Sequence, residues 1–230
     1  MFEYYKYGEN TYKTFTEFHR LDSIDMKDAN EIFNEREYEY LEMYRASKRI
    51  VEVKKSLYCG KSAIRAFLGL DLSQIKNISL LKGVFGQPVI INNIGLPISL
   101  GISITHTHKT LGILIFDQLH PMGIDIETKT KNDSEFLGTY LTKCERKMIE
   151  ESKGILSKET LFSAKESLSK VLKTGLTSPL SIYEISEWAV DNNIISFFYK
   201  NFVQYKSTVM IMEDEIRSIT LPIKSEKIIN

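Results

Sequence analysis

The sequence predicts an α+β protein built from two similar halves. Apolar residues recur at helical spacing in two separate stretches, residues 28–68 and 157–173, and each stretch is followed by strand-like segments. The change from one helix–strand series to the next falls near residues 119–121. We therefore expect an N-terminal half at residues 1–120 and a C-terminal half at residues 121–230.

The composition is that of an ordinary globular protein that needs no disulfides to build its core. The 230 residues are 43% apolar and 26% charged, and the formal net charge is zero, which argues against nucleic acid or an anionic membrane as partner. Cys59 and Cys144 do not make a disulfide framework. The N-terminus lacks the pattern of a signal peptide, and no apolar run approaches ~20 residues. We expect a cytoplasmic protein with no membrane partner.

The N-terminal half begins with a short strand region and a polar loop within residues 1–30. Two helices follow, and we expect them to separate near Ala46, with Ser47 as the N-cap of the second. Gly60 lies inside that second helix and costs about 1 kcal/mol relative to alanine, so it indicates a packing or binding reason. Residues 84–127 are typical of strands and turns.

The C-terminal half combines one helix with a meander of strands. The helical period covers Ser157–Lys173. Asn192 and Asn193 predict a hairpin turn between strands at Glu187–Val190 and Ile194–Tyr199. A third strand at residues 203–212 completes the predicted meander.

Asp125 and Glu127 are the first candidates for chemistry. At alternate positions of a strand, both side chains project to one face, about 7 Å apart. Two carboxylates so placed repel each other unless a cation lies between them, and Mg²⁺ prefers oxygen ligands of this kind. An exposed strand edge with two solvated acids explains the same spacing, so both interpretations stay open.

The helix at residues 161–172 carries the second set of candidates. Lys165 lies near the edge of its apolar stripe, where its stem could pack while the ammonium reaches water. Glu166 and Lys170 are one turn apart on the other side, and a surface ion pair is the alternative to a functional role. The apolar stripe consists of Leu161, Ala164, Leu168, Val171 and Leu172.

Two further groups suit an anionic ligand. Thr105 and His106, at a strand end, offer donors to phosphate oxygens. A run of basic residues opposed only by Glu52 would suit a polyanion, although most such runs are solvated helix faces. The run comprises Arg45, Lys48, Arg49, Lys54, Lys55, Lys61 and Arg65.

The order and spacing of these motifs resemble the Sfp-type 4′-phosphopantetheinyl transferase family. Gly123–Glu127 matches the family's G-x-D-[IV]-E motif. Phe162–Lys170 matches [WF]-x-x-K-E-[SA]-x-x-K, and the glutamate of this motif, Glu166, lies 39 residues beyond Glu127. The weaker matches are Gly60-Lys61 with Arg65, Gly86-Gln87-Pro88, Ile104–Thr107 and Leu141–Glu145. One departure concerns ligand binding, because the family has lysine where this chain has Gln87.

The resemblance implies a pseudo-twofold pair of α/β halves, each with a small antiparallel sheet packed on a long helix, and coenzyme A in the cleft between them. It implies that Asp125, Glu127 and Glu166 bind Mg²⁺, and that Glu166 and Lys170 are catalytic. The coenzyme A ligands it implies are Lys54, Lys55, Lys61, Arg65, Gln87, Pro88, Thr105, His106 and Lys170.

The activity implied by the resemblance is transfer of 4′-phosphopantetheine from coenzyme A to a serine of an apo acyl or peptidyl carrier protein, with release of 3′,5′-ADP. Such carriers serve fatty-acid, polyketide or nonribosomal-peptide synthesis, and we expect a monomeric enzyme. Two alternatives stay open. One is another Mg²⁺-dependent enzyme that cleaves phosphodiesters, and the other is a non-catalytic module that binds coenzyme A or a carrier protein.

Overall fold

The structure is a computed structural model that describes residues 1–92, 95, 99–129 and 135–228. The chain divides into two compact units. The first unit comprises Met1–Lys6, Asn10–Leu119 and Lys227–Asn230. The second unit comprises Tyr7–Glu9 and His120–Glu226.

The described residues form strands and α-helices of very unequal length. The strands are β1 (Phe2–Tyr7), β2 (Asn10–Arg20), β3 (Ile78–Lys82), β4 (Pro88–Asn92), β5 (Leu100–His106), β6 (Thr110–Asp117), β7 (Gly123–Thr128), β8 (Ile185–Asp191), β9 (Ile194–Tyr199), β10 (Tyr205–Ile211), β11 (Glu215–Pro222) and β12 (Glu226–Lys227). The α-helices are α1 (Ala29–Ile32), α2 (Glu35–Glu42), α3 (Ser47–Leu68), α4 (Leu72–Ile75), α5 (Glu135–Gly138), α6 (Lys143–Glu151) and α7 (Lys158–Leu172).

A five-stranded sheet and the long helix α3 dominate the first unit. The strand order is β12-β1-β2-β6-β5, and β3 and β4 form a separate hairpin. Strand β6 pairs antiparallel with both neighbours, so that Gly112 lies opposite Phe18 on β2 and opposite Thr105 on β5. Helix α3 packs on this sheet, and its Ala63 and Ile64 are fully buried in the apolar core.

The helices of the first unit differ from the prediction in two places. Residues 28–46 form two short helices, α1 and α2, instead of one. Helix α3 begins at Ser47, and Ala46 takes the N-cap position without a side-chain hydrogen bond, so Ser47 as N-cap was wrong by one residue. Gly60 has a packing reason, because a Cβ atom there would lie 2.6 Å from Cδ2 of Leu80.

The second unit repeats the combination of a five-stranded sheet and one long helix. The strand order is β7-β11-β10-β9-β8, and all neighbouring strands are antiparallel. Helix α7 packs across β7, β11 and β10. Its Leu161 and Leu168 enter an apolar core with Phe197 and Val209. The α+β class, with a small antiparallel sheet and a long helix in each unit, is confirmed.

The predicted long helix and hairpin turn of the second unit are confirmed, but the short helices α5 and α6 were not predicted. Ser157 is the N-cap of α7, and its side chain accepts a hydrogen bond from the backbone N–H of Thr160 in a capping box. Asn192 and Asn193 both adopt positive φ, 48° and 63°, which a two-residue hairpin of the primed type requires. Within the described residues, none of the helices has both the length and the apolar character of a bilayer span.

Candidate active site

Strand β7 and helix α7 carry the candidate acidic site, and Gly123 lets these two elements approach closely. A Cβ atom at Gly123 would lie 2.2 Å from the backbone oxygen of Ser167, so no other residue fits at this crossing without moving the helix. Asp125 and Glu127 follow at alternate positions of β7 and project to one face of the strand. Glu166 precedes Ser167 in the middle of α7.

The side chain of Asp125 on β7 forms hydrogen bonds with two side chains of α7. Its carboxylate is nearly buried, at 4% exposure. Oδ1 accepts a hydrogen bond from the Lys170 ammonium at 2.7 Å, and Oδ2 accepts one from the Ser163 hydroxyl at 2.9 Å. The Lys170 ammonium also donates to the backbone oxygen of Ile124 at 2.9 Å. Lys170 therefore crosses from α7 to β7, and the interpretation as a surface pair with Glu166 is wrong.

The other two carboxylates experience both burial and mutual repulsion. The pKa of Glu127 is raised to about 8, first by burial and then by the negative charges of Asp125 and Glu166, against the opposing charge of Lys170. Burial also raises the pKa of Glu166, and Asp125 adds to this rise while Lys170 opposes it. Among the described residues, the site thus brings three carboxylates and the Lys170 ammonium under one another's electrostatic influence.

This charge balance fits a divalent cation. Three carboxylates supply oxygen donors, the ligand type that Mg²⁺ prefers, and a cation would relieve the repulsion that raises the pKa of Glu127. In the described ranges, however, no three acidic, histidine or cysteine side chains lie close enough together to hold a metal by themselves. Mg²⁺ is usually held by one or two carboxylates plus substrate phosphates and water, so a complete protein cage is not required.

The raised pKa of Glu127 predicts a pH dependence of stability without metal. Its folded pKa of about 8 lies above its ordinary value of 4.5, so between these pH values the folded state keeps a proton that the unfolded state has released. The free energy of unfolding must therefore fall as pH rises through this window. Glu127→Gln should remove part of this fall, so its Tm should drop less than the parent's between pH 5 and pH 8.

Thermal melts in EDTA at several pH values test this prediction. Glu150→Gln is the matched control, because Glu150 is an exposed carboxylate on α6 and should leave the pH profile unchanged. A Glu127→Gln profile parallel to that of the parent would contradict the assignment of a raised pKa to this residue.

A buried ion pair anchors α7 one residue before Glu166. Lys165 is fully buried, and its ammonium donates to Oε2 of Glu145 at 2.6 Å and to the backbone oxygen of Tyr140 at 2.9 Å. The same Oε2 accepts from the backbone N–H of Thr142 at 2.7 Å, which completes a capping box at the start of α6. Oε1 accepts from the backbone N–H of Ile185 at 2.9 Å. Glu145 therefore joins α6, α7 and β8.

The first unit contains the same arrangement. Glu37, in the first turn of α2, forms a capping box with Asn34. Its Oε2 accepts from the backbone N–H of Asn34 at 3.1 Å and from the Lys61 ammonium at 2.7 Å. Its Oε1 accepts from the backbone N–H of Leu80 at 2.7 Å. In each unit, a glutamate in the capping box of a short helix thus binds a buried lysine of the long helix. The same glutamate accepts a hydrogen bond from a backbone N–H of the first strand after that long helix.

These pairs correct two sequence predictions. Lys61 is wrong as a ligand of coenzyme A, because its side chain has 0% exposure and its ammonium is bound to Glu37. Lys165 does not reach water from the edge of the apolar stripe, because it also has 0% exposure. Sequence reasoning missed Glu37 entirely. The N-x-x-E and T-x-x-E patterns at residues 34–37 and 142–145 could have indicated the capping boxes, but not the buried lysines.

A pocket of about 210 Å³ lies in the first unit beside α3 and the hairpin of β3 and β4. Its lining includes three basic side chains, Arg49, Lys82 and His106, and the aromatic rings of Tyr40 and Tyr44. The two tyrosine rings meet edge to face at 5.4 Å. The other lining residues are Val53, Ser56, Leu57, Leu80, Leu81, Gly86, Pro88 and Ile104. Its chemistry suits a ligand with both a flat ring and an anionic group.

Only two of the residues predicted to bind coenzyme A, Pro88 and His106, line this pocket. Thr105 is 6% exposed, and the Lys55 ammonium donates to the backbone oxygen of Leu21. The side-chain oxygen of Gln87 accepts a hydrogen bond from the backbone N–H of Phe85 within the hairpin turn. The predicted ligands that lie outside the lining are Lys54, Lys55, Lys61, Arg65, Gln87 and Thr105, while Lys170 belongs to the second unit. Arg49 and Lys82 line the pocket but were not among the predicted ligands.

Comparison with known families identifies the domain that contains the acidic site. Residues 121–216 match the sequence model of the 4′-phosphopantetheinyl transferase superfamily. The match begins just before β7, includes α7, and ends inside β11, so it covers Asp125, Glu127, Glu166 and Lys170. No curated protein matches the chain. The part of the chain that carries the acidic site is therefore similar to the 4′-phosphopantetheinyl transferase superfamily.

Proposed function

We propose that this chain transfers 4′-phosphopantetheine from coenzyme A to a serine of an apo acyl or peptidyl carrier protein and releases 3′,5′-ADP, as an Sfp-type enzyme. The observation that carries the proposal is the group of three carboxylates and Lys170 within the matched domain. Carboxylates together with an ammonium suit a metal-assisted reaction on a pyrophosphate.

Asp125, Glu127 and Glu166 would hold Mg²⁺, which when bound would offset the negative charge on the pyrophosphate oxygens. Glu127 must then be deprotonated, and a bound cation would lower its pKa from the raised value of about 8. The donors of these three residues are carboxylate oxygens, a ligand type that suits a hard cation.

Glu166 would accept the proton of the carrier serine as its hydroxyl oxygen attacks the β-phosphorus of coenzyme A. The Glu166 carboxylate is buried beside Asp125, and this burial raises its pKa above the ordinary value in the metal-free protein. The bond from the β-phosphorus to the bridging oxygen breaks, and 3′,5′-ADP leaves with the electron pair. Lys170 would neutralise charge on the leaving side, and Asp125 holds its ammonium in place at 2.7 Å.

The pocket of the first unit would receive the nucleotide end of coenzyme A. Tyr40 and Tyr44 offer an aromatic wall for the adenine ring, and Arg49 with His106 offers donors to phosphate. Lys54, Lys55, Arg65 and Thr105 lie outside this lining and stay predictions as contacts of other parts of the ligand.

Intact-mass analysis of apo carrier proteins tests the function. Fatty-acid, polyketide and nonribosomal-peptide carriers are each incubated with coenzyme A, Mg²⁺ and the protein. We expect at least one carrier to gain the mass of one phosphopantetheine group, with an equal amount of 3′,5′-ADP. The same carrier with its serine changed to alanine, and a reaction with EDTA, are the controls.

Other outcomes would support the alternatives. Cleavage of coenzyme A without a mass gain on any carrier would indicate a phosphodiester-cleaving enzyme. Binding of coenzyme A or carrier with no product would indicate a non-catalytic module, and either result would contradict the proposed transfer.

A further inference from the structure

The hairpin of β3 and β4 forms one wall of the pocket of the first unit, which would receive the nucleotide, but Gln87 is not among the described lining residues. The Gln87 side-chain oxygen accepts a hydrogen bond from the backbone N–H of Phe85 at 3.1 Å. Its amide also packs over Gly83, where a Cβ atom would lie 2.5 Å from Nε2 of Gln87. The side chain of residue 87 therefore stabilises the turn. At the position where the family has a lysine, this chain has no cation.

Lys82 faces the pocket from the same hairpin. It is the exposed last residue of β3 and pairs with Pro88 across the hairpin, and both residues line the pocket. Its side chain lies over Gly86, where a Cβ atom would come within 3.2 Å of Cε and 3.9 Å of Nζ. Gly86 adopts a φ of 85°, which favours glycine, and this glycine leaves the space that the Lys82 side chain occupies.

The surroundings of Lys82 are cationic. Arg49 and His106 line the same pocket, and none of the described lining residues is acidic. A phosphate monoester bound there would meet a lysine, an arginine and an imidazole. The Arg49 guanidinium also donates to the carboxylate of Glu52 at 3.2 Å, and Glu52 is not among the described lining residues. Hydrogen bonds between charged donors and phosphate oxygens are the strong ones.

We propose that Lys82, together with Arg49 and His106, binds the 3′-phosphate of the nucleotide, in place of a cation at position 87. This inference rests on the proposed function, because it takes coenzyme A as the ligand of the pocket. It assigns to Lys82 the discrimination between coenzyme A and ligands that lack the 3′-phosphate, since a cation contributes most to the phosphate that it contacts.

Calorimetric titration of the full chain with coenzyme A and with 3′-dephospho-coenzyme A tests the proposal. Lys82→Ala should raise the Kd for coenzyme A about tenfold or more, the loss expected for one charge-assisted hydrogen bond. The Kd for 3′-dephospho-coenzyme A should change less than about twofold. Lys76→Ala is the matched control, because Lys76 is an exposed lysine of the same unit outside the pocket lining.

A second pair of variants makes the test specific for the charge at this position. Lys82→Arg should keep most of the parent's affinity for coenzyme A, because it keeps a cation at a position that lines the pocket. Lys82→Met, which keeps only an apolar stem, should lose affinity as Lys82→Ala does. Equal losses for both ligands in Lys82→Ala, or no loss, would overturn the assignment of Lys82.

The proposed function and the Lys82 assignment fail in distinguishable ways. If the parent binds coenzyme A more tightly than its 3′-dephospho form, and Lys82→Ala abolishes this preference, the assignment stands even where no carrier protein is modified. If the parent transfers phosphopantetheine but Lys82→Ala keeps the preference, only the assignment fails. If the parent binds neither ligand, both proposals are wrong.

Discussion

Replacing Glu166 with glutamine should lower kcat/KM for phosphopantetheine transfer by at least ~10²-fold, the low end for loss of a general base. Glutamine keeps the size and helix propensity of glutamate, but it cannot accept the serine proton or carry the charge that would hold Mg²⁺. The Tm without metal should stay the same or rise, because the change removes a carboxylate whose charge raises the pKa of Glu127.

A second test variant and a control variant accompany this measurement. Lys170→Ala should also slow transfer, because it removes the ammonium that Asp125 holds at 2.7 Å and leaves that nearly buried carboxylate without its cation. Glu150→Gln, on the exposed side of α6, should transfer like the parent. Steady-state kinetics and melts are measured for all three variants. If Glu166→Gln and Lys170→Ala both keep the parent's kcat/KM, α7 is scaffold and the proposed function is wrong.

The sequence was most informative where one local interaction decides the structure. The helical period and the apolar stripe predicted α7, because the burial of one helix face repeats with every turn. The Asn192-Asn193 turn was predictable for the same reason, since two positive φ values suit asparagine and fix the hairpin. Asp125 and Glu127 share a strand face by the geometry of any strand.

The sequence was least informative where the partner is distant along the chain. The pairing of β7 with β11 was missed because it joins residues about 90 positions apart. Strand β11 itself was also missed, although it forms a hairpin with β10. The partner of Lys170 was also missed, because helical spacing offered Glu166 while the folded chain offers Asp125 on β7. The charge of a side chain did not predict its solvent exposure either. Lys61 and Lys165 are buried, because each forms an ion pair with a glutamate of another helix.

Hydroxyl groups fix the height and register of α7 over its sheet. The Ser163 hydroxyl contacts that of Ser218 on β11 at 2.8 Å, and the Ser167 hydroxyl contacts that of Thr220 at 2.7 Å. Such small, mutually bonded side chains allow the close approach that Gly123 also requires. Glu166 lies between the two serines in sequence, so the same contacts hold its backbone relative to β7.

Replacing Lys165 with methionine should cost about 3–5 kcal/mol in the free energy of unfolding, the range for breaking a buried ion pair from one side. Methionine keeps an unbranched apolar stem, so the main loss is the ammonium. Glu145 would remain buried and would keep the backbone donors of Thr142 and Ile185, but its charge would have no cation. Lys61→Met should cost a similar amount, because the first unit has the same arrangement around Glu37. Urea unfolding followed by circular dichroism measures both.

Two comparisons separate the buried charge from lost packing. The double variant Lys165→Met/Glu145→Gln should be more stable than Lys165→Met alone, because it removes the uncompensated carboxylate but keeps its hydrogen-bond acceptor. Lys147→Ala, which breaks an exposed pair with Glu151, should cost at most about 0.5 kcal/mol. Well below its Tm, Lys165→Met should keep most of the parent's kcat/KM, since Lys165 acts through the fold. A variant that melts like the parent but loses transfer would instead place Lys165 among the residues that contact the substrate.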